Sequence, residues 1–461
     1  MPHLTQRDAA KLMHRGAIAL ARIESNGLRI DVPYLEQAIT DTKKSIAKET
    51  TALEGTDEWR LWVRRFGSKA KMRSRAQLAV VLKELGHIKG DKRTKTGRDS
   101  VDQSALDDVD TPFVKSYLQL EQLHKLDSTY LQGLRREVFD GYLGPFFNLH
   151  TTETFRSSSS EINFQNIPIR NPTIGKTIRR AFIPRDGHVL VEVDYVGIEV
   201  RVSCCYNQDP RLISYVKDKT RDMHRDMAMQ IFKLKREQVS KVARYCAKNM
   251  FVFPQFYGDW YKSNAVQLWQ AVDRLKVSVE GGGSLRDHLK SVGLSRLGEC
   301  DWNSEPKVGT FEHHLKGVEH DFWNRRFSVY TQWKEDWYQA YRRLGSFKLL
   351  TGFVIEGLFN RKQVINYPVQ GAAFHCLLWS LIELQREIDS RRWKSKLVGQ
   401  IHDSLVADVH VEELDKYLQL VRDVMTNRLP EVWKWLIVPL EIEAEVAAVS
   451  WADKKPVDLT I

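Results

Sequence analysis

Two apolar runs in this chain end on an acid. The first, Val189-Leu190-Val191-Glu192-Val193, reads as a buried strand that stops at Asp194. A helix-like stretch carrying Glu199 and Arg201 follows it. The second, Lys396-Leu397-Val398-Gly399-Gln400-Ile401, runs into His402-Asp403 and resumes as Ser404-Leu405-Val406-Ala407-Asp408-Val409, the pattern of a hairpin with an acid at its tip. A carboxylate at the end of a buried strand is rigidly held and poorly solvated, which suits a metal ligand. One such acid alone would be an ordinary loop residue; two can hold two divalent cations, the apparatus of phosphoryl transfer. Elsewhere the pattern is helical. Residues 5–50 carry breaks at Ser25-Asn26-Gly27 and Asp31-Val32-Pro33, and further helices are expected around Gln77–Leu85, Thr111–Val138 and Phe322–Arg343. The aromatic stripe Phe322, Tyr330, Trp333 and Trp337 reads as core rather than as a base-stacking surface. Gly281-Gly282-Gly283-Ser284 reads as a flexible joint within 259–345, the least informative stretch.

At 461 residues the chain is too long for one core, and two or three subdomains are expected. No apolar run reaches the length of a membrane span, and the start does not read as a signal peptide. Five cysteines without a Cys-x-x-Cys pair suit reduced thiols, so the expected compartment is the cytoplasm of a bacterial host. Cys300 with His313, His314 and His320 makes a poor zinc set, because the spacing is irregular and there is one thiolate. The net charge of +11 favours a polyanionic partner. Two basic, loop-like runs, Arg64–Arg75 and Lys89–Arg98, offer Lys69, Lys71, Arg73, Lys92, Arg93 and Lys95 as phosphate contacts; a solvated surface is the plainer alternative.

The acid-tipped segments resemble motifs A and C of the family A DNA polymerases, the bacterial DNA polymerase I type. Against the family's Asp-Tyr-Ser-Gln-Ile-Glu-Leu-Arg stands Asp194-Tyr195-Val196-Gly197-Ile198-Glu199-Val200-Arg201, and against His-Asp-Glu stands His402-Asp403-Ser404, which lacks the last acid. Ile23-Glu24-Ser25-Asn26-Gly27 and Lys125-Leu126-Asp127-Ser128-Thr129-Tyr130 are similar to the family's opening segment and thumb. Thr154-Phe155-Arg156-Ser157-Ser158 and Asn163-Phe164-Gln165-Asn166-Ile167-Pro168 resemble its primer-side motifs. Asn366-Tyr367-Pro368-Val369-Gln370-Gly371, extended by Ala372-Ala373-Phe374-His375, looks more like phage members than cellular ones, and Leu440–Val446 with Ser450-Trp451 resembles the last palm strand.

Arg244 and Lys248 stand four apart and share one helical face, which is either a phosphate clamp or a solvated surface. The segment Arg244 to Gly258 resembles motif B, with one extra residue before the aromatic and Pro254 in place of glycine. Proline lacks the amide that would bond the carbonyl of residue 250, so a π-type bulge is expected just before it. That bulge would align Phe253 with the sugar-facing aromatic and Tyr257 with the templating-base tyrosine. The rival alignment uses Val252 and Phe256.

The resemblance implies an α+β right-hand polymerase fold, with an antiparallel-sheet palm, helical fingers and a helical thumb. The expected division is residues 1–31 packing on the palm, 32–130 thumb, 131–207 first palm part, 208–355 fingers with an enlarged insert, and 356–461 second palm part. It implies template-directed addition of deoxynucleotides to a primer 3′-OH, with two Mg²⁺ ions on Asp194 and Asp403. It places Tyr195, Glu199, His224, Arg244, Lys248, Phe253 and Tyr257 at the nucleotide, and Arg156, Gln165, Asn166, Asn366, Gln370 and His402 at primer-template DNA. A phage replication role in the host cytoplasm is expected. So is the absence of an exonuclease domain, since little chain precedes the thumb-like segment and residues 1–60 show no matching acid cluster; a separate exonuclease, helicase or processivity factor would be a partner. The rival readings are a single-subunit RNA polymerase-like enzyme and a non-catalytic DNA-binding relative.

Overall fold

The computed structural model describes residues 4–88, 101, 106, 109, 111–168 and 172–459. A five-stranded antiparallel sheet organises it: β1 (His188–Tyr195), β2 (Lys396–Ile401), β3 (Ser404–His410), β4 (Ile442–Ala447) and β5 (Lys455–Val457), in the order β5-β4-β1-β3-β2. The strand ending at Asp194 is therefore central, paired with β3 and β4. Val189, Leu190, Val191 and Val193 are all buried, so the apolar run is covered on both faces. The 31-residue helix Arg361–Arg391 packs on this sheet and on the helix Gln6–Asn26. Those two helices approach closely at Gly16, where a Cβ would lie 2.8 Å from the Leu378 side chain.

The helix Val32–Glu54 starts in the main core, through Leu35 and Ala38, and ends in a second one through Leu53. That second core belongs to a helical unit, Asp57–Phe66, Arg75–Glu84 and Pro112–Lys125, built around Trp62, Leu78, Leu82 and Tyr117. A 23-residue helix spans roughly 35 Å, so this unit is carried away from the sheet. The expected Thr111–Val138 helix is continuous in direction but holds a π-type segment at Leu126–Leu131.

A second helical group comprises Met223–Phe232, Lys241–Ala247, Tyr261–Arg274, Phe311–Asp321 and Ser328–Leu344. Phe322 and Tyr330 are buried, Trp333 meets the Tyr330 ring at 5.6 Å and Trp337 stacks on Trp333 at 5.5 Å, so the aromatic stripe packs on the core as expected. The glycine run is not a loose joint. Its three glycines take positive φ and close a hydrogen-bonded loop, with the Val279 amide donating to the Gly283 carbonyl at 3.0 Å. The poor zinc set dissolves as well, because His314 Nε2 lies 3.0 Å from the Gln230 carbonyl instead.

A buried charge cluster locks the sheet to the helix Pro172–Arg180. Arg179 lies 4.1 Å over the Trp451 ring and 3.8 Å from the Glu192 carboxylate, which also accepts from Trp451 Nε1 at 2.7 Å and Lys454 Nζ at 2.8 Å. The guanidinium makes no hydrogen bond among the described residues, and Glu192 is its counter-charge. Removing one partner of a buried pair strands the other. Glu192→Ala should therefore cost about 3–5 kcal/mol in urea unfolding. Arg179→Met combined with it should recover most of that loss.

Candidate active site

Strand alternation sorts the side chains of β1. Glu192 and Asp194 face one side; Val193 and Tyr195 face the other and are buried. The Tyr195 hydroxyl meets Ser380 Oγ at 2.9 Å and the Met425 carbonyl at 3.1 Å. Its ring thus points into the core, while Tyr195 also forms part of the cleft wall beside Asp194. Asp403 sits at the tip of the β2–β3 hairpin, after His402 in the left-handed region at φ 50°. The Tyr195 amide donates to the Asp403 carbonyl at 3.3 Å, which ties the two acid-bearing turns together.

Both acids line one cleft of about 630 Å³, with Arg156, Glu199, Lys248, Phe253, Tyr257, Asn366, Gln370 and His402 also in its wall. Nearby cations are engaged elsewhere: Arg156 with Glu199, and Lys454 with Glu192 and Glu445. The cleft wall desolvates both carboxyls and pushes them above the usual range, although the Asp194 side chain still opens to solvent. Asp194 rises to about 7, first by burial and then by the charges of Asp403, Glu192 and Glu443. Two carboxyls that hydrogen-bond to each other, have no cation partner among the described residues and resist ionisation fit a divalent cation, which would supply the missing positive charge. Among the described residues no three metal-ligating side chains close on one point.

The expected bulge is present. Residues Lys248–Val252 form a π-type turn between Lys241–Ala247 and Phe253–Phe256, and the Phe253 amide donates to the Lys248 carbonyl, five residues back. The wider turn accommodates Pro254, which has no amide to give. It also sets the register. Phe253 lines the cleft with Lys248 Nζ 5.2 Å from its ring and His224 edge-on at 5.7 Å. The Tyr257 hydroxyl donates to Glu199 at 2.7 Å. Val252 is fully buried, and the Phe256 ring packs on Phe322 and Tyr330. Arg244 is outside the cleft lining, with its Nε 2.6 Å from Asp222. His224 is half-buried beside Arg244 and Lys248, and desolvation first, then those charges, brings its pKa down to about 4.

Arg156 reaches within 3.7 Å of Glu199. Its loop rests on the Arg361–Arg391 helix at Gly371, where a Cβ would lie 2.7 Å from the Thr154 carbonyl. Gln165 donates to Gln400 Oε1 and to Ser157 Oγ, both at 2.8 Å, and Gln400 Nε2 donates to the His402 carbonyl at 2.8 Å. Gln165 thus braces the hairpin that carries Asp403. Asn166, beside it in the turn Phe164–Asn166, is exposed. Asn366 Nδ2 lies 3.4 Å from the Tyr257 carbonyl. Lys69, Lys71 and Arg73 are exposed on the separate helical unit, with Arg73 paired to Glu121 at 3.4 Å. Lys92, Arg93 and Lys95 lie outside the described residues. Sequence reasoning missed Glu443, which faces the cleft beside Asp194, and Asp222, which holds Arg244. Both depend on register and tertiary packing that spacing does not reveal.

A central antiparallel sheet with acids at two strand ends, flanked by a separate helical unit and a helical wall, defines the right-hand polymerase fold. The comparisons with known proteins agree. The profile of DNA polymerase family A matches residues 37–274 and 353–453, and the chain belongs to that family. It is 28% identical over 445 residues to DNA polymerase I of Lactococcus lactis subsp. lactis, covering 95% of this chain and 45% of that protein. It is 31% identical over 447 residues to the thermostable DNA polymerase I of Thermus filiformis, covering 95% and 47%. The chain spans about half the length of these relatives. Among solved structures it resembles the POL domain of Pol1 from M. smegmatis in complex with DNA primer-template and dNTP. The TM-score is 0.73 at 25% identity, over 96% of this chain and 70% of that one.

The raised Asp194 pKa has a stability consequence. Between its ordinary value of 3.8 and about 7, the folded carboxyl holds a proton that the unfolded one has lost, so stability falls as pH rises through that window. Asp194→Asn removes the cost. In metal-free protein it should raise Tm by a few degrees at pH 8 and leave it unchanged near pH 3.5, as read by scanning calorimetry.

Proposed function

We propose that this protein is a DNA-directed DNA polymerase that adds deoxynucleotides to a primer 3′-OH. The observation that carries the reading is the pair Asp194 and Asp403, side by side and without cation partners among the described residues, in a cleft whose wall also presents Lys248, Phe253 and the Tyr257–Glu199 pair. A related polymerase domain was solved with primer-template and dNTP, which supports the same substrates here. Asp194 and Asp403 would hold two Mg²⁺ ions, which when bound lower the pKa of the 3′-OH and neutralise charge on the transferred phosphate. Lys248 meets the triphosphate from the opposite wall, and Arg244 joins it on release from Asp222, so two cations on one helical face balance the charge on the departing pyrophosphate. Phe253 packs on the sugar. Glu199, fixed by Tyr257 and Arg156, fills the volume a 2′-OH would need.

Within this reading the thumb is 32–130, the fingers 208–355 and the palm 131–207 with 356–461, residues 1–31 packing on the palm. The exposed Lys69, Lys71 and Arg73, together with Lys92, Arg93 and Lys95, contact duplex phosphates. Arg156, Asn166, Asn366, Gln370 and His402 line the primer-template. The phage-like stretch Asn366–His375 supports a role in phage DNA replication in the host cytoplasm.

Asp194→Ala and Asp403→Ala should each slow primer extension by at least about a thousandfold, equivalent to about 4 kcal/mol, while duplex binding in a gel-shift assay stays near normal. Near-normal extension by either variant would end the assignment.

Sugar selection should follow the π-shifted register. Glu199→Ala should raise ribonucleotide incorporation relative to deoxynucleotide by roughly tenfold or more. Phe253→Tyr should ease dideoxynucleotide acceptance in a competition assay. If that variant changes nothing and a Phe256 substitution does, the register is off by one.

A further inference from the structure

Asp194 is flanked on its own face of the sheet by one residue from each neighbouring strand. Ser404 of β3 and Glu443 of β4 are its direct cross-strand partners, and such partners project to the same face with Cβ atoms about 4.5–5.5 Å apart. The two flanks differ in chemistry. Ser404 is buried, and its hydroxyl donates to the Ile401 carbonyl at 3.0 Å, so it is spent on the hairpin. Glu443 is exposed to the cleft and lines it together with Asp194 and Asp403.

Glu443, like Asp194, stands apart from the other acids in and beside the sheet. Glu192 is held by Trp451, Lys454 and Arg179; Glu445 by Lys454; Glu441 by Arg201 and Lys219; Asp408 by Arg185. No cation among the described residues lies within ion-pair distance of Glu443. A carboxylate left unpaired beside another unpaired carboxylate raises the cost of the apo site. That cost is returned only when positive charge arrives in the cleft.

We propose that Glu443 is a third acidic group of the cation site, positioning hydrated metal from the β4 side of Asp194. This rests on the polymerase reading above. Because no three acids close on one point, Glu443 acts one layer out, accepting hydrogen bonds from water on the ion. It is a positioning residue, not a group that touches the reacting atoms.

The test uses the full chain and two readouts. Mn²⁺ binding without DNA, followed by electron paramagnetic resonance, should weaken about 10-fold in Glu443→Gln, within the range that outer-layer partners of metal ligands contribute. Primer extension by the same variant should need correspondingly more Mg²⁺, with the rate at saturating Mg²⁺ within about 2-fold of wild type. Ser404→Ala should change neither readout. Ser404→Glu combined with Glu443→Gln moves the acid across Asp194 and should restore Mn²⁺ affinity. Far-ultraviolet dichroism and Tm establish that each variant is folded. Mn²⁺ affinity and Mg²⁺ requirement of Glu443→Gln both equal to wild type would overturn the proposal, and so would a loss of affinity that the double variant does not recover. If Glu443→Gln is unchanged while Asp194→Asn loses Mn²⁺ and extension, the proposal alone fails. If wild type extends no primer, the polymerase reading fails, and the Mn²⁺ comparison still decides the role of Glu443.

Discussion

The structure is organised around two carboxylates that the protein refuses to neutralise. Asp194 and Asp403 end adjacent turns of a central sheet, joined by the Tyr195 amide to the Asp403 carbonyl, and face a common cleft. Cations are at hand, yet Arg156 is committed to Glu199 and Lys454 to Glu192 and Glu445. Ionising them here costs stability: the cleft wall desolvates both carboxyls and lifts them above the usual range, and for Asp194 the charges of Asp403, Glu192 and Glu443 add to the shift. A fold accepts such a cost where function requires it. The covered faces of β1, the long helix behind it and the Arg179–Glu192–Trp451 cluster supply the rigidity that keeps the two acids in place.

The opposite wall of the cleft is set by one backbone irregularity. An uninterrupted α-helix from Lys241 would need an amide at Pro254. The π-type turn at Lys248–Val252 absorbs the extra residue and returns Phe253 and Tyr257 to the cleft. Val252 then falls into the core, and Phe256, half-buried, packs on Phe322, Trp323 and Tyr330 at the inner wall of the same cleft. Tyr257 closes on Glu199, so the bulge in one element fixes the partner of an acid in another.

Much of this was legible in the sequence because the signals were local. Apolar runs ending on Asp194 and Asp403 gave the two strands, and the i, i+4 spacing gave the shared face of Arg244 and Lys248. Pro254 with one surplus residue gave the bulge. What stayed hidden depended on pairing across the chain. Strand alternation turns Tyr195 into the core, toward Ser380 and Met425, although its neighbour Asp194 faces the cleft. Gln165 braces the hairpin through Gln400, a partner 235 positions away. Glu443 reaches Asp194 only through the β1–β4 register. The glycine run at 281–283 shows the converse error: composition suggested looseness where positive-φ glycines build a closed loop.

The central claim is that Asp194 and Asp403 act together on divalent cations. The most direct measurement is anomalous scattering from crystals grown with primer-template, a non-reactive dNTP analogue and Mn²⁺. Mn²⁺ density should lie in contact with both the Asp194 and the Asp403 carboxylates. Mn²⁺ found only on the nucleotide phosphates, with either aspartate unengaged, would contradict it.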